Sequence, residues 1–215
     1  MKHTFIRQGK SPVLDLIFAG WGMDQHPFLQ EATDNDLCIC YDYSDLSLDL
    51  SIFESYHHIR LLAWSMGVWS AARTFENSDL PFVMKVAVNG TLYPIDDLHG
   101  IPRTIFSSTL EHLSVATIDK FNRRMCGTKE QKSRFDQIAP LRSVESLRNE
   151  LLVLYNQVES SPIPAFKYDK AIIGTKDLIF PSENQRSAWK QEKETRITEI
   201  AMAHYPENFI SFLTE

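Results

Sequence analysis

The stretch HHIRLLAWSMGVWSAART, residues 57–74, decides the fold. Residues 58–63 form a short apolar run bounded by polar residues and read as a strand. Residues 66–76 read as a helix. Between them lies Ala63-Trp64-Ser65-Met66-Gly67, a serine flanked two residues away on each side by a small residue. Strand, serine-centred turn and helix in this order form a nucleophile elbow, the G-x-S-x-G pattern with alanine at the first small position. Small residues let strand and helix pack closely around a sharp turn. The turn lifts Ser65 Oγ out of the sheet at a helix N-terminus, where the backbone N–H of Met66 is placed to donate to an oxyanion.

Working outward, residues 14–19 and 37–41 read as strands, and residues 83–88 as a third, closed by Asn89-Gly90. Residues 25–31 are expected to be helical. Strands alternating with helices imply a mostly parallel sheet with helices on both faces. The loop FAGWGMD, residues 18–24, follows the first of these strands. A Gly-rich loop there is suited to supply a second oxyanion donor, and the backbone N–H of Trp21 is the candidate. The Trp21 indole is expected to line an acyl pocket. The competing reading is a plain strand-to-helix turn.

The texture changes after Pro102. Residues 103–159 look helical, with apolar spacing at Phe106, Leu110 and Leu113 and again at Leu147, Leu151 and Leu154. Pro162 and Pro164 mark the exit. Strand signals return at residues 170–173 and 196–201, and residues 208–213 read as a short closing helix. The expected organisation is an α/β core of residues 1–102 and 166–215 carrying a helical lid insertion, residues 103–165.

A serine hydroxyl is a poor nucleophile at neutral pH and needs a base within reach, itself oriented by an acid. GTKDLIFP, residues 174–181, follows a strand and precedes a helix, and places Asp177 as the acid. His204 follows the last strand and is the base. His3, His57, His58, His99 and His112 fall outside that post-strand loop, and His26 belongs beside the oxyanion loop or on the surface. The chain order Ser65, Asp177, His204 is that of the α/β-hydrolase fold.

Composition narrows the alternatives. The chain has 215 residues and a formal net charge of −6, which argues against general nucleic-acid binding. The three cysteines, Cys38, Cys40 and Cys126, form no disulfide framework and suggest a reducing compartment. Cys38 and Cys40 are expected on one face of a strand as small hydrophobes, with no metal site. The N-terminal MKHTFIRQGKSPV lacks the apolar core of a signal peptide, and no apolar run approaches the ~20 residues of a membrane span. The expectation is a cytoplasmic chain with no membrane partner.

FAGWGMD, AWSMG, the acid loop GTKDLIFP and the compact length together resemble the BioG family of pimeloyl-[acyl-carrier-protein] methyl ester esterases, α/β-hydrolases of biotin synthesis. The resemblance is strongest at residues 14–24, 60–72 and 170–181 and weakest in the helical middle. Ala63 departs from the first elbow glycine of the wider superfamily. The resemblance implies a carboxylic-ester hydrolase that frees the ω-carboxylate of a pimeloyl chain, releases methanol, uses no metal or organic cofactor, and has acyl carrier protein as its partner. Between Asp119 and Glu150 the lid carries eight Lys/Arg against five Asp/Glu, a basic stretch on an acidic chain. It is a plausible dock for an acidic carrier, with Arg123 and Arg124 favoured; the alternative is a solvated helical face. Phe106, Leu110, Leu113 and Phe121 are candidates to line the acyl channel, with ordinary lid–core packing as the competing reading. Elbow and triad do not separate this activity from a thioesterase or a broad short-chain esterase. A non-catalytic binding protein on the same fold is the remaining class.

Overall fold

The structure is a computed structural model and describes residues 1–9 and 11–214. Lys10, in the N-terminal stretch read above, and Glu215, the last residue of the expected core segment, lie outside the described residues. The strands are β1 (Lys2–Arg7), β2 (Val13–Phe18), β3 (Asp36–Tyr41), β4 (His58–Trp64), β5 (Phe82–Val88), β6 (Lys170–Gly174) and β7 (Arg196–Ile200). They form one sheet in the order β1-β3-β2-β4-β5-β6-β7. All neighbours pair in parallel except β1, which runs antiparallel to β3 along the edge. The edge strand was not expected from the sequence. Its polar Lys2, His3, Thr4 and Arg7 give it no continuous apolar run, as suits a strand covered on one side only.

Central strands buried on both faces read as unbroken apolar runs, and β2 and β3 do so. The exception is Asp15, fully buried on β2. It is matched by Arg60 on β4, whose Nε and Nη2 donate to its two oxygens at 2.6 and 2.8 Å. Thr33 Oγ1 donates to the same carboxylate at 2.6 Å. Arg60 Nη1 also reaches the carbonyl of Leu213 at 3.1 Å, which ties the chain's end to the underside of the sheet.

That contact distinguishes the two faces. One carries the helices α1 (Met66–Phe75) and α6 (Ser182–Trp189). Phe75 packs edge-on against Phe18 with ring centroids 5.3 Å apart. Tyr168 joins the two helices, donating its hydroxyl to the Val68 carbonyl at 2.6 Å and packing edge-on against Trp189. The other face is covered by two single-turn 3-10 segments, His26–Phe28 and Ile210–Leu213. Phe28 and Phe209 meet there at 5.0 Å, and Phe209 packs on Trp64. The helix expected over residues 25–31 is therefore corrected to a three-residue turn. Only Pro27 and Phe28 of that turn are buried, so the apolar pattern never completes a helical face. The closing helix expected at 208–213 shrinks likewise to Ile210–Leu213. Cys38 and Cys40 are buried free thiols on β3, and burial pushes the Cys40 thiol well above its ordinary range.

Four helices separate β5 from β6: α2 (Arg103–Glu111), α3 (Val115–Cys126), α4 (Lys129–Asp136) and α5 (Val144–Ser160). Ser114, Thr128 and Ser143 cap the last three by accepting backbone N–H groups, the satisfaction that helix starts need. Among the described residues no helix is long and apolar enough to cross a membrane.

The elbow depends on two close backbone approaches. A Cβ at Gly67 would stand 2.4 Å from the Phe18 carbonyl oxygen, and one at Gly90 would stand 2.3 Å from the Ser65 carbonyl oxygen. Ala63, by contrast, is accommodated inside the parallel ladder between Phe18 and Ala87. Because the atoms opposing Gly67 are backbone, Gly67→Ala is expected to cost about 1–3 kcal/mol or more. Thermal melting should show Tm lower by several degrees; an unchanged Tm would mean that the elbow relaxes without strain.

Candidate active site

Ser65 occupies the turn between β4 and α1 at φ 59 and ψ −128, a region that non-glycine residues rarely enter. Its N–H donates to the Val88 carbonyl at 3.0 Å, which holds the turn over the end of β5. The strained turn points Oγ at His204, whose Nε2 lies 2.9 Å away. His204 Nδ1 in turn lies 2.8 Å from Asp177 Oδ2. An ionised carboxylate only accepts, so Nδ1 carries the proton and Nε2 is left to accept from the serine hydroxyl. All three side chains are buried.

Asp177 is fixed by more than the imidazole. Its Oδ1 accepts the N–H groups of Ile179 and Phe180 at 2.8 and 3.0 Å. Its Oδ2 also accepts Gln185 Nε2 at 3.0 Å. The imidazole stacks on Phe180 with an interplanar angle of 5°. Above Ser65 opens an apolar cavity of about 40 Å³. Core residues Trp21, Trp64 and Met66 form its floor, and Ile105, Phe106, Phe121 and Leu151 of the intervening helices close it. Such a constellation can support attack by a serine alkoxide on an acyl carbon held in the cavity.

Residues 1–214 match the family described as pimeloyl-ACP methyl esterase BioG. The chain belongs to the BioG family. The crystal structure of BioG from Haemophilus influenzae superposes with a TM-score of 0.87 at 38% identity, over 96% of this chain and 95% of that one. A Bacteroides fragilis protein named malonyl-[acyl-carrier protein] O-methyltransferase is 46% identical over 196 residues, which is 91% of this chain and 40% of that protein. The chain thus spans well under half the length of that relative. An esterase from Exiguobacterium antarcticum, at 14% identity and a TM-score of 0.67, shares the fold alone. Family and fold together make the chain an α/β-hydrolase-type member of the BioG family.

Trp21 and Met66 both line the cavity that holds Ser65. Neither backbone N–H has an acceptor among the described residues, the condition a group must meet to serve an incoming oxyanion. Phe106 and Phe121 line the cavity, and Phe121 packs edge-on against Trp21 at 5.2 Å. Leu110 does not line it. On α2 the cavity takes Ile105, Phe106 and Thr109, and Leu110 turns a further ~100° round the helix to pack against the core. Leu113 is buried elsewhere. Arg124 reaches the cavity and donates to the Leu178 carbonyl at 2.6 Å. Arg123, one position back, points outward and pairs with Asp119.

The basic stretch is largely taken up within the fold. Lys132 bridges Asp119 and Asp136 at 3.1 and 2.5 Å. Arg134 pairs with Glu207, and Arg148 donates to the carbonyls of Leu110 and Leu113. Arg142 is buried between Asp42 and Glu150. The outward basic surface is smaller than the sequence suggested.

Sequence reasoning missed the groups that anchor His204. Asn89 stands at φ 47 just past β5, where asparagine is tolerated and most residues are not. Its Nδ2 donates to the carbonyls of Ala203 and His204, each at 2.9 Å, while Oδ1 accepts the Gly174 N–H at 2.7 Å. Trp64 Nε1 adds a second donor to the His204 carbonyl at 2.8 Å. The Asn-Gly pair is visible in sequence, but only as a turn. Asn89→Ala leaves the buried Gly174 N–H unpaired, at about 1–3 kcal/mol, and frees the loop that carries His204. The expected outcome is a lower Tm together with a kcat at least tenfold down in protein whose circular dichroism is unchanged. Wild-type turnover would show that Trp64 holds the loop unaided.

Proposed function

We propose that the chain is a serine carboxylesterase that cleaves the methyl ester of a pimeloyl chain carried on acyl carrier protein, a step of biotin synthesis. The reading is carried by the hydrogen-bonded line from Ser65 through His204 to Asp177, at 2.9 and 2.8 Å, opening on an apolar cavity in a BioG-family chain. In this reading residues 103–165 act as a helical lid over a core of residues 1–102 and 166–215.

His204 Nε2 takes the proton of Ser65 as Oγ attacks the ester carbonyl. The carbonyl oxygen becomes an oxyanion, stabilised by the N–H groups of Trp21 and Met66. Collapse breaks the bond to the methoxy oxygen, and His204 hands its proton to that oxygen as methanol leaves. Water then attacks the acyl-enzyme, giving its proton to His204. The second collapse returns that proton to Ser65 and frees the carboxylate. The steps require only the chain's own groups and water.

The cavity size supports a small leaving group. About 40 Å³ is room on the order of three water-sized groups, enough for a methoxy group but not for a pimeloyl chain and its carrier arm. The remainder of the substrate must then leave the cavity past the lid helices, toward the carrier. A second support is the relative named for methylating malonyl-[acyl-carrier protein], of which this chain matches 40%. One activity would place on a carrier-bound acid the methyl group that the other removes.

The test is methanol release from pimeloyl-carrier methyl ester by the wild type and by Ser65→Ala. The wild type should turn over and the variant should lose at least ~10⁴-fold. If the wild type leaves this ester intact but cleaves p-nitrophenyl esters through Ser65, the serine-hydrolase reading stands and the substrate is another. Faster cleavage of a thioester than of an oxygen ester of the same acyl chain would make it a thioesterase.

A further inference from the structure

A buried charged cluster lies outside the triad, on the far side of the oxyanion loop. Glu150, on α5, is fully buried and does not line the active-site cavity. Its Oε2 accepts the Gly22 N–H at 3.1 Å and Arg142 Nη1 at 2.6 Å. Its Oε1 accepts the Tyr43 N–H at 2.9 Å. Arg142 also meets Asp42 Oδ1 at 2.9 Å and donates to Ser146 Oγ at 2.8 Å. Burial pushes the Glu150 carboxyl above its ordinary range, against the pull of Arg142 and the two N–H donors.

The cluster is directed at one stretch of backbone. Residues 20–23 form a tight turn, closed by the Met23 N–H on the Gly20 carbonyl at 3.4 Å, with Gly22 at φ 81. A positive φ at the third position is the mark of a type II turn, whose central peptide can flip. Glu150 accepts the N–H of that central peptide and so selects one orientation. The neighbouring residues are held from the same side. Trp21 Nε1 donates to the Leu147 carbonyl at 3.0 Å, Arg142 Nη1 donates to the Met23 carbonyl at 3.2 Å, and Asp24 Oδ2 accepts the Leu141 N–H at 2.8 Å. Four consecutive loop residues are therefore each bonded to a residue between 141 and 150. The one donor of Trp21 left over, its backbone N–H, is the one beside Ser65.

An oxyanion donor must stand within about 2.7–3.1 Å of the oxyanion's position, and a misplacement near 1 Å costs on the order of 10²-fold. A buried carboxylate is a costly way to gain stability, since apolar side chains of similar volume often serve as well. Its specific contribution here is orientation. We infer that Glu150, steadied by Arg142, is a positioning residue: it sets the turn at residues 20–23 so that the Trp21 N–H faces the developing oxyanion. The inference rests on the serine-esterase reading proposed above.

The decisive variant is Glu150→Gln, which keeps the volume but removes the charge and one acceptor oxygen. Rates are read on a p-nitrophenyl ester, per active site titrated by the acylation burst, beside wild type and Ser65→Ala. A kcat per titrated site about 10²-fold down, with KM within twofold, supports the inference. A purely structural role would lower Tm and the titrated fraction while leaving kcat per site at the wild-type value, and that result overturns it. If Glu150→Gln does not fold, the paired replacement Arg142→Met with Glu150→Leu supplies an apolar core without the acceptor. It should show the same loss in kcat, and wild-type kcat per site in it overturns the inference equally. A wild type with no Ser65-dependent burst would instead remove the esterase reading on which the inference stands.

Discussion

The structure depends on how closely α1 approaches the ends of β2 and β5. At Gly67 and Gly90 the backbones come so near that no side chain fits between them. That closeness forces Ser65 into its unusual backbone conformation, a strain of order 1–3 kcal/mol. The surrounding fold holds it there, because α1 is buried along most of its length between the sheet and Tyr168. A serine lifted above the carboxyl end of β4 lies at the middle of the sheet, between β2 and β5. Loops leaving β2, β5, β6 and β7 at that same edge converge on it. Ligand sites of open parallel sheets form in that crevice for the same reason.

The convergence is then made specific by hydrogen bonds between loops rather than by the triad alone. The carbonyl of His204 takes donors from Trp64 and Asn89, so the imidazole is anchored through its backbone. Asp177 is anchored by two N–H groups of its own loop and by Gln185 from α6. Gln185 Nε2 also donates to the Phe180 carbonyl at 2.9 Å, while its Oε1 is buried without a partner among the described residues. A buried amide that leaves one acceptor unpaired in order to hold two others costs stability. In a site shielded from water each such bond carries more weight than it would at the surface.

What was legible in the sequence was local. The elbow, the loop at residues 18–24 and the acid loop each announce themselves by small residues and turn-formers at fixed offsets from an apolar run. Most of the parallel strands did so too, because each keeps a short apolar run that single polar positions such as Asp15, Arg60 and Lys85 do not hide. The edge strand β1 escaped because a one-sided strand of Lys, His, Thr and Arg has no such run. The short turn at His26–Phe28 was over-read because helical spacing cannot be judged over a single turn. Asn89, Gln185, Arg142 and Glu150 carried no local signal of their contacts for a different reason. Each meets partners on other elements, as far as 128 positions away for Glu150 and Gly22, and nothing in the spacing of one segment encodes which group it will meet.

The charge pattern of the helical middle makes the same point from the other direction. Eight basic residues between positions 119 and 150 read as an outward surface, yet Arg142 and Arg148 face inward. Arg142 neutralises carboxylates at both ends of its reach, and Arg148 satisfies carbonyls between α2 and α3. In chain order α2 to α5 lie between β5 and β6, and their hydrogen bonds tie them into the core. α5 gives Leu151 to the cavity wall, the Leu147 carbonyl to the Trp21 indole and the Glu150 carboxylate to Gly22. A helix that shapes both the pocket and the loop beside the serine belongs to the site as fully as the strands beneath it. Displacing it from the core would therefore do more than uncover the serine, because the same movement would break the two bonds that α5 makes to Trp21 and Gly22.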